Sequence, residues 1–66
     1  MEKLLNVAEV AKELGLNPQT LYRMVREKKI PHIRLTQGTI RFVRTEIDKW
    51  FNSKRVKVKW ERNIKL

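Results

Sequence analysis

The sequence predicts a small α+β domain: two short helices flanking a tight turn, a β-hairpin, and a third helix closing the core. Three observations predict it. Apolar residues recur at helical spacing in Val7, Val10, Ala11 and Leu14, and again in Leu21, Met24 and Val25. They alternate with polar ones in Ile33-Arg34-Leu35 and Ile40-Arg41-Phe42. Gly15, Pro18, Pro31 and Gly38 then punctuate the boundaries between these stretches. A chain of 66 residues buries only about 60% of the surface it exposes when unfolded, which leaves no room for a deep catalytic cleft. The expected organisation is one domain over residues 1–53 and a basic tail over residues 54–66.

Asn6 followed three residues later by Glu9 has the form of a capping box, so the first helix covers residues 7–14 and closes at Gly15, which supplies positive φ at C′. Only Gly15 and Leu16 intervene before Asn17-Pro18, an N-cap and first-turn pair that opens a second helix over residues 18–28. Its end is set by Pro31, which disfavours helix at Ile30. Leu21, Met24 and Val25 form its apolar stripe, with Gln19, Tyr22, Arg23 and Arg26 on the other side. A two-residue loop at Gln37-Gly38 places Leu35 opposite Ile40 and Ile33 opposite Phe42 on one face of the hairpin. The same register puts Arg34 opposite Arg41 on the other face, together with Thr36 and Thr39. Thr45 and Asp48 resemble a second capping box, after which Ile47, Trp50 and Phe51 share the core-facing side of a third helix.

The chain carries 16 Lys plus Arg against 7 Asp plus Glu, a formal net charge of +9. A field of that strength points to a polyanionic partner: nucleic acid, acidic lipid or an acidic protein. Cys is absent, so disulfides and thiolate metal sites are excluded. No apolar run approaches the roughly 18 residues needed to cross a bilayer, and Leu4-Leu5 is too short for a signal-peptide core, so a cytoplasmic protein is expected. Insertion into a membrane surface lacks a strongly amphipathic apolar face. His32, the one histidine, has no cluster of ligands or carboxylates around it in sequence and is expected at the wing base or surface. Glu46 and Asp48 are accounted for as helix-start residues, so neither catalytic residues, metal, cofactor nor small-molecule ligand is expected, and the chain does not read as an enzyme.

Two helices about a tight Gly-containing turn are the sequence form of a helix-turn-helix, whose second helix enters the major groove of duplex DNA. Gln19, Arg23 and Arg26 lie at i, i+4 and i+7 and point away from the apolar stripe, with Tyr22 beside them. Gln can pair with adenine and Arg with guanine, each pair giving about 1–3 kcal/mol of discrimination. Thr20, near the helix start, suits a phosphate. A polar outer face alone is equally that of a solvated helix, and the hairpin tips the balance. Arg34 opposite Arg41 is a repulsive pair that a phosphate between them would relieve, and with Thr36, Gln37 and Thr39 it gives a cationic wing. Arg44 is a further phosphate candidate.

These pieces come in a recognisable order: Leu5-Asn6-Val7-Ala8-Glu9-Val10-Ala11 with Leu14-Gly15-Leu16, Pro18-Gln19-Thr20-Leu21-Tyr22-Arg23-Met24-Val25, Ile30-Pro31, the hairpin, and Ile47-Asp48-Lys49-Trp50-Phe51. Over residues 4–53 the chain resembles an excisionase-family, MerR-related winged helix-turn-helix domain. The resemblance implies a second helix in the major groove, a wing on the adjacent minor groove or backbone, and double-stranded DNA as partner, with a recombinase or neighbouring copies alongside. It implies an excisionase-type recombination directionality or architectural factor of a phage or mobile element, in a bacterial or phage-infected cell. Small transcriptional regulators and terminase- or transposition-associated modules share the domain. The wing tip Thr36-Gln37-Gly38-Thr39 is poorer in Gly and Arg than is usual for the family, and a MerR-type dimerisation helix and effector domain are not seen.

Residues 54–66 hold six basic residues against Glu61 alone. Lys54, Arg55, Lys57 and Lys59 fit an arm tracking phosphates, the reading favoured because chain termini are usually loosely held. The alternation of Val56, Val58 and Trp60 with Lys57 and Lys59 also fits a strand that docks a protein partner, which would make the chain an interaction adaptor.

Overall fold

A computed structural model describes residues 3–56, in the order β1 (Leu4–Leu5), α1 (Val7–Leu14), α2 (Pro18–Arg26), β2 (Ile33–Thr36), β3 (Thr39–Val43) and α3 (Arg44–Ser53). The capping box at the start of α1 is closed in both directions: the Glu9 N–H donates to Asn6 Oδ1 at 2.8 Å and the Asn6 N–H to Glu9 Oε1 at 3.0 Å. α1 ends in a Schellman motif, with Gly15 at φ 68°, the Leu16 N–H donating to the Ala11 carbonyl (2.8 Å) and the Gly15 N–H to that of Lys12 (3.2 Å). Asn17 Oδ1 accepts the Gln19 N–H at 2.8 Å to cap α2, and Pro18 sits in its first turn.

α2 stops at Arg26, two residues before the expected end at Lys28, and the reason is local rather than Pro31. Lys28 adopts φ 59°, and the Lys29 N–H donates to the Met24 carbonyl (2.8 Å) while the Lys28 N–H donates to that of Val25 (3.0 Å). This is the α1 terminus repeated with lysine where α1 has glycine. No sequence pattern announces it, because left-handed backbone is rare for a residue with a Cβ.

β3 is the central strand of an antiparallel sheet ordered β1-β3-β2. β1 pairs Leu4 with Val43 and Leu5 with Phe42. Two residues are too few to show an alternation, so no local pattern announces this strand. The hairpin register needs correction. Thr36 faces Thr39 across the Gln37-Gly38 turn as expected, but beyond a bulge at Leu35 the partners are Arg34 with Ile40 and Ile33 with Arg41. Arg34 therefore does not oppose Arg41, and Leu35 is 55% exposed instead of facing Ile40 in the core. The cause lies in the turn. Positive φ occurs only at Gly15 and Lys28 among the described residues, so the turn is not one of the primed types whose twist matches a hairpin, and the extra residue absorbs the mismatch.

β1, β3 and the three helices contribute to one core, centred on the fully buried Phe42 and Leu21, with Val10, Val25, Ile30 and Ile47 around them, while β2 places no buried residue in it. α3 follows β3 without a break. Its N-cap position is Val43, a residue still held in the sheet, and no side chain caps the helix, so the expected Thr45–Asp48 box does not form and Thr45 lies inside the first turn. Ile47 is buried and Trp50 packs partly against the core, as expected, but Phe51 is half exposed (50%) and is not a core residue. The Trp50 Nε1–H donates to the Lys29 carbonyl at 2.9 Å, which ties α3 to the segment leaving α2.

Candidate nucleic-acid interface

The burial of Leu21 and Val25 orients α2, because a helix that seats these two on the core must present the opposite side outward. Gln19, Tyr22, Arg23 and Arg26 are accordingly exposed, and Thr20 is half-buried near the helix start. Arg23 and Arg26 occupy the last turn, where cations also complement the helix dipole.

The bulge decides what the wing offers to this surface. Thr39 and Arg41 lie on one face of β3 and Ile40 and Phe42 on the other, as strand alternation requires. Arg34, paired with Ile40, therefore belongs to the second face and turns toward α2. The result is an open cleft of about 270 Å³ between helix and wing, lined by Tyr22, Val25, Arg26, Arg34, Gln37, Gly38 and Ile40. Its floor is apolar and its rim carries two guanidinium groups and a phenol. The Arg34 Nη1–H donates to the Gln37 carbonyl at 3.1 Å, which holds the guanidinium at the wing tip. Thr36 and Gln37 are exposed.

Other expected contacts lie elsewhere. Arg41, half-buried, donates from Nη1 to the Ile40 carbonyl at 2.8 Å on the opposite face of the hairpin from Arg34. Arg44, expected at a phosphate, donates from both Nη atoms to the two carboxylate oxygens of Glu13 at 2.8 Å, so its charge is compensated within the fold. That pair sits over a separate cleft of about 170 Å³ between α1 and α3, whose lining includes Leu14 and Phe51. Hydrogen bonding from Arg44 lowers the Glu13 pKa against the opposing effect of desolvation, with the Arg44 charge adding to the lowering, and the same contact raises that of Arg44. The pairing spans 31 positions, which is why no local pattern revealed it. His32 is half-buried at the wing base, with Nδ1–H donating to the Ile30 carbonyl at 2.9 Å. Lys54 and Arg55 are exposed just after α3. Lys57, Lys59 and the proposed alternation through Val58 and Trp60 lie outside the described residues, and Val56 is exposed.

A helix-turn-helix whose second helix faces outward beside a basic hairpin defines the class: a small winged helix-turn-helix, DNA-binding domain. A family model described as Helix-turn-helix domain matches residues 4–55, nearly the whole of the described chain. The chain belongs to this family, the excisionase-like helix-turn-helix group, and DNA binding is the property that goes with it. No curated protein and no solved structure matches it significantly. Among the described residues no helix is long and apolar enough to cross a membrane.

Proposed function

We propose that the protein is an excisionase-type accessory factor of a phage or mobile element, which binds a specific duplex and shapes it to set the direction of recombination. The cleft shared by α2 and the wing carries the proposal, because Arg26 and Arg34 on its two sides let one duplex be gripped by helix and hairpin together. In this reading Gln19, Tyr22, Arg23 and Arg26 meet base edges in the major groove, and Thr20 meets a phosphate at the start of α2. Arg34 and Gln37 take the adjacent backbone or minor groove, with Thr36, Thr39 and Arg41 on the other face of the hairpin behind them. Lys54 and Arg55, and Lys57 and Lys59 beyond, add phosphate contacts along the same strand.

One module offers few base contacts, so useful affinity requires neighbouring copies on repeated sites or a DNA-bound recombinase beside it. The test is selection from random duplexes, followed by binding of the winner across a salt series. Arg23→Ala relaxes preference at one base position. Arg34→Ala weakens all sequences alike and flattens the salt slope by about one unit. Circularly permuted fragments carrying the selected site then report bending, and a bound but unbent site favours a transcriptional regulator over an architectural factor. Equal binding to duplex, single strands and heparin overturns the recognition-helix assignment.

A further inference from the structure

We infer that the turn immediately after the recognition helix is a second, sequence-independent DNA phosphate site, centred on Lys28. The inference rests on reading α2 as the recognition helix and adds a contact that reads backbone rather than bases.

The first ground is conformational. Lys28 holds φ 59°, a left-handed backbone that glycine adopts freely and lysine does not. α1 ends in the same hydrogen-bonded motif with Gly15 in that position, so the fold itself is served better by glycine after α2 as well. A side chain kept at a strained position points to a task outside the fold.

The second ground is charge. Within the turn over residues 27–29, Glu27 and Lys29 face each other at 3.5 Å and compensate one another. Lys28 is exposed and makes no ion pair among the described residues. Complementing the dipole of α2 does not require it, since Arg23 and Arg26 already occupy the last turn.

The third ground is rigidity and place. The Lys29 N–H is bound by Met24 and the Lys29 carbonyl by the Trp50 indole at 2.9 Å, while Ile30 is buried in the core. Lys28 thus projects from a backbone fixed on both sides, and a charge so held loses less freedom on meeting its ligand. It stands two residues beyond Arg26, which lines the cleft between helix and wing. A strongly hydrated point charge there suits a single phosphodiester oxygen.

The experiment uses the full chain and the selected duplex, with thermal melts beside binding at several salt concentrations. Lys28→Gly is expected to melt a few degrees higher than wild type, yet to bind several-fold more weakly, its log–log salt slope shallower by about 0.9. Lys28→Gln reproduces the loss of slope without the gain in melting temperature. If both variants keep the wild-type slope, the assignment is wrong. A change in Lys28→Gly alone also overturns it, since that would trace the effect to backbone freedom rather than charge. Should the Lys28 variants bind as wild type while Arg23→Ala still relaxes base preference, only this site fails and the recognition helix stands. Loss of neither would remove both.

Discussion

The ion pair between Glu13 and Arg44 joins the end of α1 to the start of α3, and it pairs within the fold a guanidinium that sequence alone would give to DNA. Glu13 is held below its ordinary 4.5 by hydrogen bonding from Arg44. A carboxyl depressed in the folded state stabilises the fold above its unfolded pKa, and that contribution disappears as pH falls through the lower folded value. Both side chains are open to solvent, so the effect is small. Glu13→Gln should therefore melt slightly below wild type at neutral pH, with the two curves converging as the pH drops under 4.5. Circular dichroism melts from neutral to acid check this, and a gap that persists in acid would remove Glu13 as its source. Arg44→Gln should likewise lower the melting temperature while leaving the salt slope of DNA binding unchanged.

At the scale of the elements, the hairpin shows most clearly how far local pattern reaches. Ile33, Leu35, Ile40 and Phe42 alternate as a half-buried hairpin should, and the turn at Gln37-Gly38 falls where expected. Yet one bulged residue reverses the roles of Leu35 and Arg34 along β2. Leu35→Ala separates the two registers. In the observed one the side chain is mostly exposed, and the substitution should change stability by no more than about 0.5 kcal/mol. Facing Ile40 in the core, it would cost about 2–5 kcal/mol. A denaturant melt decides. The helices were far more legible than the hairpin, because the Asn6–Glu9 box, Gly15 and Asn17-Pro18 act through bonds that span only a few residues. The start of α3 is not legible locally, for the opposite reason: a sheet residue, Val43, occupies the cap position.

Taken whole, the domain rests on a core of modest size. Phe42 is fully buried on the central strand, opposite Leu5 of β1, and Phe42→Ala should cost about 3–5 kcal/mol. At roughly 0.05–0.15 kcal/mol per residue, that is a large share of the stability of so short a chain. Unfolding at physiological temperature is the expected outcome, measured by circular dichroism, and a cooperative melt near that of wild type would show that the core lies elsewhere.

Taken alone, the sequence determined the two helices of the helix-turn-helix, the side of α2 that faces outward, the excess of positive charge and the resemblance to the excisionase family. Each of these depends on periodicity, caps or composition, which operate over a turn or two of chain or need no geometry at all. Tertiary structure decided the rest. β1 exists only because β3 offers an edge, Arg44 is paired because Glu13 arrives from 31 positions away, and Trp50 reaches a carbonyl 21 positions distant. The wing faces α2 with Arg34 because a turn of unmatched twist forces a bulge at Leu35. These are contacts between segments remote in sequence, whose outcome depends on packing all elements at once.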